Sequence, residues 1–280
     1  MTRQVTTVTT QSQTTTSAGP ARRRTLALAA AVLAMLSVGG PAGAALSVQA
    51  GAAAPVLTAA YLTTTVTSAP MAARSRSASD FASIFHGDNQ NLANSGWTAC
   101  PTPITWSVDT RELTSSQAAL EIKHIDWALS YWGEVSGLTF AFNGEIPVNY
   151  SDTNFQLTPV DGSPVASRHI YMTFLGIGES KLLSSSILGF GAPSTVVVAS
   201  KEITGGNAVF RTDHVQSTGR TAPRKVKSLY LHELGHVLGL SHAAETSNIM
   251  YPVVDAKVTL GDGDVNGVRT MTKPCPAPAA

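Results

Sequence analysis

The stretch HELGHVLGLSH at residues 232–242 decides how this chain is interpreted. Positions i and i+4 of a helix share one face, so His232 and His236 can bind one metal ion together. Glu233 lies beside His232, where its carboxylate can contact a water molecule on the metal without ligating the metal. The leucines between these residues would hold the opposite side of the helix in a core. The pattern predicts a metal-binding helix with an apolar back.

The end of this helix supplies a third ligand. Helices commonly end at a glycine that accepts a positive φ, and Gly239 occupies that position. The chain can then turn and return His242 to the metal. Three neutral imidazoles leave Zn²⁺ with its full charge and an open fourth position, which is typical of catalytic zinc. Water there has a pKa of about 7, and Glu233 can accept its proton as it attacks a carbonyl.

The motif has two other interpretations. A helix with two histidines and a glutamate can occur by chance, but the added glycine and third histidine make coincidence a poor explanation. A structural zinc site would require a fourth protein ligand and would have no use for Glu233. The pattern therefore favours a catalytic zinc.

The length and composition of the chain limit the classes of protein to which it can belong. The chain has 280 residues, of which 43% are hydrophobic and 13% charged, and its formal net charge is +1. This length allows one well-cored domain with material to spare. The lack of an acidic or basic excess gives no indication of a nucleic-acid partner.

The N-terminal region predicts export. Three arginines at residues 22–24 precede an apolar run over residues 26–38, and small residues at 42–44 fit a cleavage site. We expect a signal peptide over residues 1–44 and a secreted, extracellular protein with no stable membrane span after cleavage. An uncleaved membrane anchor is the alternative, and the choice between general and twin-arginine export stays open.

The remaining chain divides into two predicted parts. Residues 45–95 are rich in alanine, threonine and serine, which indicates a low-complexity linker or a short pro-segment. We expect ordered structure to begin near Trp97 and a catalytic domain to occupy residues 96–280. Cys100 and Cys275 flank this domain, and in an oxidising compartment they can pair in only one way. Two unpaired buried thiols are the alternative.

Periodicity predicts alternating strands and helices. A helix should begin at Thr114 or Ser115 and end before Gly137, because apolar residues recur there at spacings of three and four. The metal-binding helix should span residues 228–238, after a polar loop over residues 202–227. Strands are predicted at residues 104–108, 138–142, 170–174 and 196–199, with a short apolar run at residues 187–190 before the last of them. Such interleaving favours an α/β sandwich.

The quoted stretch is the zinc signature of the metzincins, and a second segment supports this resemblance. The sequence SNIMYP at residues 247–252 resembles the Met-turn of that clan. The eight-residue step from His242 to Met250 resembles the matrixin branch in particular. The resemblance implies that Met250 forms an apolar floor beneath the zinc ligands, whereas Met250 taken alone would be assigned to core packing.

A weaker resemblance to the matrixins covers about residues 97–273. It implies an α/β (α+β) catalytic domain with a twisted, mostly parallel sheet and one antiparallel edge strand. An active-site helix and a small C-terminal subdomain complete it, with a closing helix over residues 260–271 that has Asp262 or Asp264 near its start. Substrate would pair with the edge strand through Ile187, Leu188 and Gly189, with a plain loop at residues 187–190 as the alternative.

The same resemblance leads to further expectations about specificity and ions. Pro252 and Val253 would wall the side-chain pocket beside the zinc and favour an apolar or mid-sized residue after the cut. One catalytic Zn²⁺ is implied, and Ca²⁺ is compatible with the family, although no acidic loop marks a site. No cysteine precedes Cys100, so any latency must use a device other than a cysteine switch.

The leading hypothesis is a secreted, monomeric zinc endopeptidase that hydrolyses protein or peptide amide bonds through zinc-bound water. Glu233 is its general base. One alternative is a secreted binding protein that keeps zinc for stability only, which the presence of Glu233 disfavours. Another is a zinc hydrolase of cell-wall peptides, which would use the same residues.

Overall fold

The structure, a computed structural model, describes residues 62–65, 78–85 and 92–276. The predicted signal peptide at residues 1–44 lies outside the described residues, as does most of the predicted linker. Within the described part, no helix is long and apolar enough to cross a membrane.

Ten strands and four α-helices form over the described residues. In chain order they are β1 (Leu62–Thr65), β2 (Thr98–Ala99), β3 (Ile104–Asp109), α1 (Ser115–Ser136), β4 (Phe140–Glu145), β5 (Val148–Tyr150), β6 (Leu157–Pro159), β7 (His169–Leu175), β8 (Ile187–Val197), β9 (Glu202–Arg211), α2 (Thr212–Thr218), α3 (Pro223–Val237), α4 (Asp262–Met271) and β10 (Lys273–Pro274).

The main sheet has six strands in the order β1-β8-β9-β7-β3-β4. Strands β9, β7, β3 and β4 run parallel to their neighbours, whereas β8 runs antiparallel to β9. The predicted fold class, a mostly parallel sheet with an antiparallel strand at one side, is confirmed. The prediction did not include β1, which pairs antiparallel with the outer side of β8.

Helix α1 forms where the sequence predicted it, with caps at both ends. The Thr114 hydroxyl accepts a hydrogen bond from the backbone of Gln117, and Gly137 ends the helix with a φ of 78°. Its buried face packs against α3, where the Trp132 indole donates to the carbonyl of Leu231 at 3.0 Å. Helix α1 therefore supports the metal-binding helix from behind.

The predicted polar loop at residues 202–227 is wrong. This stretch contains β9, α2 and the start of α3, which begins at Pro223 rather than Ser228. Gly205 and Gly206 lower the β propensity of β9, but the strand is held between β7 and β8, and its small residues permit close packing. A Cβ on Gly206 would lie 3.5 Å from both Ile170 and Trp97 and still closer to Val237.

The short apolar run at residues 187–190 and the strand predicted at residues 196–199 form one strand instead. Strand β8 runs through Ile187–Val197, and its pairing with β9 shifts register between Pro193 and Val196. The proline interrupts the β pattern in the sequence, and the bulge accommodates it in the sheet.

The expectation that ordered structure begins near Trp97 is also wrong. Ile84 and Phe85 are buried, and the Ile84 amide donates to the Gly239 carbonyl at 2.8 Å. These residues gain their order from contacts made about 150 positions later in the chain, which local composition does not reveal.

A disulfide joins Cys100 to Cys275 across 175 residues. It lies beside the short parallel pairing of β2 with β10. The bridge therefore ties together the two ends of the region from β2 to β10, which contains five of the six strands of the main sheet. In the chain-entropy model, closing a loop of this length stabilises the fold by about 5 kcal/mol.

Candidate metal centre

Helix α3 is held in place along its whole second half. All its residues from Ser228 to Val237 are buried. Two tryptophan indoles donate to its backbone carbonyls, Trp132 to Leu231 and Trp97 to Val237, each at 3.0 Å. The helix therefore presents its metal-facing side from a fixed position.

Three histidines converge at the end of this helix. His232, His236 and His242 each offer a ring nitrogen, and these atoms lie within 4.8 Å of one another. The Nε2 atoms of His232 and His236 are 3.2 Å apart. Among the described residues, this is the one group of three histidine, cysteine or carboxylate side chains that could hold a metal ion.

Backbone carbonyls fix which ring nitrogen faces the centre. A carbonyl can only accept, so Nδ1 of His232 donates to Ile249 at 2.7 Å and Nδ1 of His236 donates to Leu240 at 2.8 Å. Each Nε2 is thus left with its lone pair for a metal. Nε2 of His242 is buried and has no hydrogen-bond partner within the described chain. The donor set fits a divalent metal bound by three imidazoles.

Burial keeps all three imidazoles neutral. It lowers the pKa of His232 to about 3 and the pKa of His242 to about 4, and the neighbouring His242 adds to the effect at His232. Burial also places the pKa of His236 well below its ordinary value. Neutral imidazole is the form that binds metal, so the site is ready for a cation near neutral pH.

The turn after α3 forms as the sequence predicted. Gly239 has a φ of 104°, a conformation that side chains other than glycine rarely adopt. The Leu240 amide donates to the Gly235 carbonyl at 3.1 Å, and the Ala243 amide donates to the Met250 carbonyl at 2.9 Å. These bonds return the chain so that His242 faces the two histidines of the helix.

Met250 lies against the metal-binding helix. It is buried, and a Cβ on Gly235 would overlap its sulfur and lie 3.0 Å from the Trp132 ring. The spacing of the histidines gives no sign of this need for glycine at position 235. Met250 therefore packs closely under the helix turn that carries His232 and His236, and its role as a floor for the ligands stays a prediction.

Asp264 holds the Met250 segment, a role that the sequence indicated only as an acidic residue near the start of the last helix. Its buried carboxylate accepts from the amides of Ile249 at 2.6 Å, Met250 at 3.1 Å and Gly261 at 2.7 Å. Burial raises the pKa of Asp264 to about 6, against the lowering effect of these amides. Asp264 thus fixes the carbonyl of Ile249 that orients His232.

A second carboxylate, on Asp80, binds the loop that follows His242. It accepts from the amides of Ala244 at 2.9 Å and Glu245 at 2.7 Å, and from the side-chain amide of Asn248 at 2.8 Å. No motif in the sequence pointed to Asp80, which falls within the predicted linker at residues 45–95. The N-terminal residues therefore help to shape the loop that directly follows the third histidine.

Glu233 lies between α3 and strand β8. The residue is fully buried, and a Cβ on Gly189 would lie 3.2 Å from its Cγ and 3.3 Å from its Oε1. A Cβ on Gly191 would overlap the Glu233 carbonyl oxygen. Glycine at both positions lets β8 approach the helix closely, and the strand predicted to bind substrate passes directly beside Glu233.

The other residues predicted for substrate binding lie in two separate segments of the chain. Ile187 and Leu188 begin β8 with Gly189, while Pro252 and Val253 follow Met250 and are partly exposed. Their roles toward a substrate stay predictions.

Together, the mostly parallel sheet, the buried helix and the three converging histidines form a candidate metal centre of the kind that the metzincin resemblance implies. Residues 185–272 match the family model Peptidase_M10, described as Matrixin, and the chain is matrixin-like. The matched segment includes β8, all three histidines, Glu233 and Met250.

Curated relatives agree with this family. Metalloendoproteinase 1 of Glycine max is 37% identical over 54 residues, which cover 18% of this chain and 18% of the relative. Stromelysin-1 of Rattus norvegicus is 28% identical over 160 residues, which cover 54% of this chain and 28% of the relative. Matrilysin of Felis catus is 32% identical over 71 residues, 24% of this chain and 27% of the relative. The chain thus spans less than a third of the length of these relatives.

Proposed function

We propose that this chain is a secreted zinc endopeptidase whose ligands are His232, His236 and His242 and whose general base is Glu233. The observation that carries the proposal is the convergence of three neutral imidazoles beside a buried glutamate on the same helix. The matrixin match over residues 185–272 supports the same class of reaction. The predicted signal peptide supports secretion.

Zinc in this site would act as a Lewis acid that polarises a peptide carbonyl and acidifies water. The carboxylate of Glu233 accepts a proton from the attacking water and later delivers it to the leaving amine nitrogen. Asp264 and the Ile249 carbonyl keep the ring of His232 in the required orientation. Strand β8 offers its backbone to an extended substrate, which favours cleavage within a polypeptide rather than at its ends.

The proposal has two rival functions, and the same residues bear on both. A non-catalytic zinc-stabilised binding protein would not require Glu233 beside both the histidines and β8, so the position of this residue supports catalysis. A hydrolase of cell-wall peptides would use the same residues, and the names of the relatives favour protein substrates instead. Pro252 and Val253 lead us to expect an apolar or mid-sized side chain after the cut.

A Glu233→Gln variant tests the proposal. Its rate of casein hydrolysis should fall by about 10² to 10⁴, because the proton acceptor is lost while the shape of the side chain is kept. Zinc content and thermal stability should match those of the parent. Glu112→Gln is the control, since Glu112 is exposed and remote in sequence from the histidines. Full activity in the Glu233→Gln variant would show that the assigned base is wrong.

A further inference from the structure

Arg211, the last residue of β9, carries a positive charge in a buried position. Only 9% of the residue is exposed. A buried charge costs free energy unless nearby polar groups compensate it, so the partners of this guanidinium show what it holds in place. Arg211 belongs neither to the histidine motif nor to the strand predicted to bind substrate.

The partners of Arg211 lie mainly in the loop that precedes β8. Its Nη1 donates to the carbonyl of Ser184 at 2.7 Å and to the carbonyl of Ser185 at 3.1 Å. Its Nε lies 2.8 Å from a carboxylate oxygen of Asp213, whose side chain is 58% exposed. Two of these three contacts are made to neutral carbonyls, which require donors at fixed places rather than a charge. A planar guanidinium has its donors fixed relative to one another, and so it suits this task.

This loop connects two strands of the main sheet at the end where Arg211 lies. It begins after Leu175, which pairs with Arg211 in the register of β7 and β9, and it returns to the sheet at Ile187. The Ile187 amide donates to the Ser184 carbonyl at 3.2 Å. The same carbonyl therefore accepts hydrogen bonds from the guanidinium and from the first amide of β8.

The start of β8 depends on this turn, because the pairing of β8 with β9 begins further along the strand. The first residue of β8 in register with β9 is Gly189, opposite Phe210. Ile187 and Leu188 come before this point, so β9 does not fix their backbone, and both are predicted to bind substrate. A Cβ on Gly189 would lie 3.2 Å from the Cγ of Glu233. A shift of the turn would therefore move the predicted substrate edge relative to the proposed general base.

We infer that Arg211 is a positioning residue for the substrate. By holding the turn before β8, it sets the place of the first three residues of that strand beside Glu233. It acts through the backbone of the loop and not on the reacting atoms. Its effect on hydrolysis rests on the proposed function, whereas its effect on the start of β8 does not.

Arg211→Met tests the inference in the full chain. Methionine keeps an unbranched apolar stem in the buried position but has no donor for the two carbonyls. Arg211→Lys is the conservative variant, because it keeps the charge and a donor without the planar fork. Arg269→Met is the matched control. Arg269 is exposed on α4, and its Nε also donates to a backbone carbonyl, that of Val135, at 2.9 Å.

Amide hydrogen exchange reports on the turn whether or not the protein is an enzyme. Exchange at residues 184–189 should become about tenfold faster in Arg211→Met and about threefold faster in Arg211→Lys, because the turn loses hydrogen bonds that hold it. Exchange in α1 should stay as in the parent, and Arg269→Met should change neither region. Unchanged exchange at residues 184–189 in both Arg211 variants would overturn the claim that this arginine holds the start of β8.

Kinetics with unfolded casein separate a positioning role from a purely structural one. KM should rise about tenfold in Arg211→Met and about threefold in Arg211→Lys. The kcat and the zinc content should change little, because the histidines and Glu233 keep their places. Arg269→Met should match the parent in all three quantities. If Arg211→Met does not fold, the exchange and the KM of Arg211→Lys decide.

The outcomes distinguish this inference from the proposed function. Faster exchange at residues 184–189 with an unchanged KM would overturn the positioning role, and so would equal losses of kcat and zinc content. If no zinc-loaded chain cleaved casein, the parent included, the proposed function would be contradicted. The role of Arg211 toward substrate would be rejected with it, while hydrogen exchange would still decide whether Arg211 holds the turn.

Discussion

The two sides of the metal centre differ in how far apart their residues lie in the sequence. The helix side consists of His232, Glu233, His236 and His242, which fall within one stretch of eleven residues. The sheet side consists of β8 and the N-terminal segment that pairs with it, which lie more than 120 residues apart. The ligand motif is thus visible in a short stretch of sequence, whereas the surface predicted to meet a substrate is assembled from distant segments.

This difference has a physical origin. A helix brings residues four apart onto one face by its own geometry, so a short motif determines the relative positions of two ligands. A sheet edge depends on which strand fills the neighbouring position, and only tertiary packing decides that. Gly189 and Gly191 of β8 join the two sides, because their lack of a side chain lets the strand approach helix α3 closely.

The largest expected effect comes from Gly191→Ala. The added Cβ would overlap the Glu233 carbonyl oxygen, and a backbone atom cannot move aside as a flexible side chain can. We expect the free energy of unfolding to fall by about 3 kcal/mol and hydrolysis to weaken. Urea unfolding and casein cleavage measure the two effects.

Gly176→Ala is the matched control for that variant. Its Cβ would meet only the carboxylate of Glu179, at 3.0 Å, which can rotate away. Equal stability of the two alanine variants would mean that β8 does not lie against α3 at Gly191, and the link between the two sides would be lost.

A smaller effect is expected from Asp80→Ala. The variant removes the acceptor of three hydrogen bonds that hold the loop after His242, at a cost of about 2 kcal/mol in stability. Zinc affinity should also decrease, because that loop directly follows His242, the proposed third ligand. Thermal unfolding with and without added zinc measures both effects.

Asp126→Ala provides the comparison, since Asp126 is exposed on α1. If both alanine variants kept the stability and zinc affinity of the parent, the N-terminal segment would not support the metal centre.

The sequence was sufficient to predict the helix side almost completely. The histidine motif, the helix end at Gly239, the α1 helix with its caps and the mostly parallel sheet are all present in the structure. Each of these features depends on a period, a cap or a glycine conformation that acts over a few residues. The matrixin resemblance supplied the mostly parallel sheet with its antiparallel edge strand, which periodicity alone did not, and the order of the strands was not predicted.

The parts that could not be predicted depend on long-range contacts. Strand β9 contains two adjacent glycines, so its sequence alone predicts a loop. The segment forms a strand because it pairs with β7 on one side and with β8 on the other. Residues 78–85 look like the end of a linker, yet Ile84 and Phe85 are buried in the core. The structural roles of Asp80 and Asp264 could not be predicted either. Their carboxylates accept hydrogen bonds from backbone amides that only the folded chain brings near them.

The most direct test of the central claim is a paired measurement on the purified mature protein. Bound zinc is quantified, and cleavage of unfolded casein is followed with and without a chelator. The account predicts one zinc per chain and cleavage that stops when the chelator removes it and returns when zinc is restored. A protein that binds no zinc, or one whose cleavage persists in the metal-free state, would contradict the account.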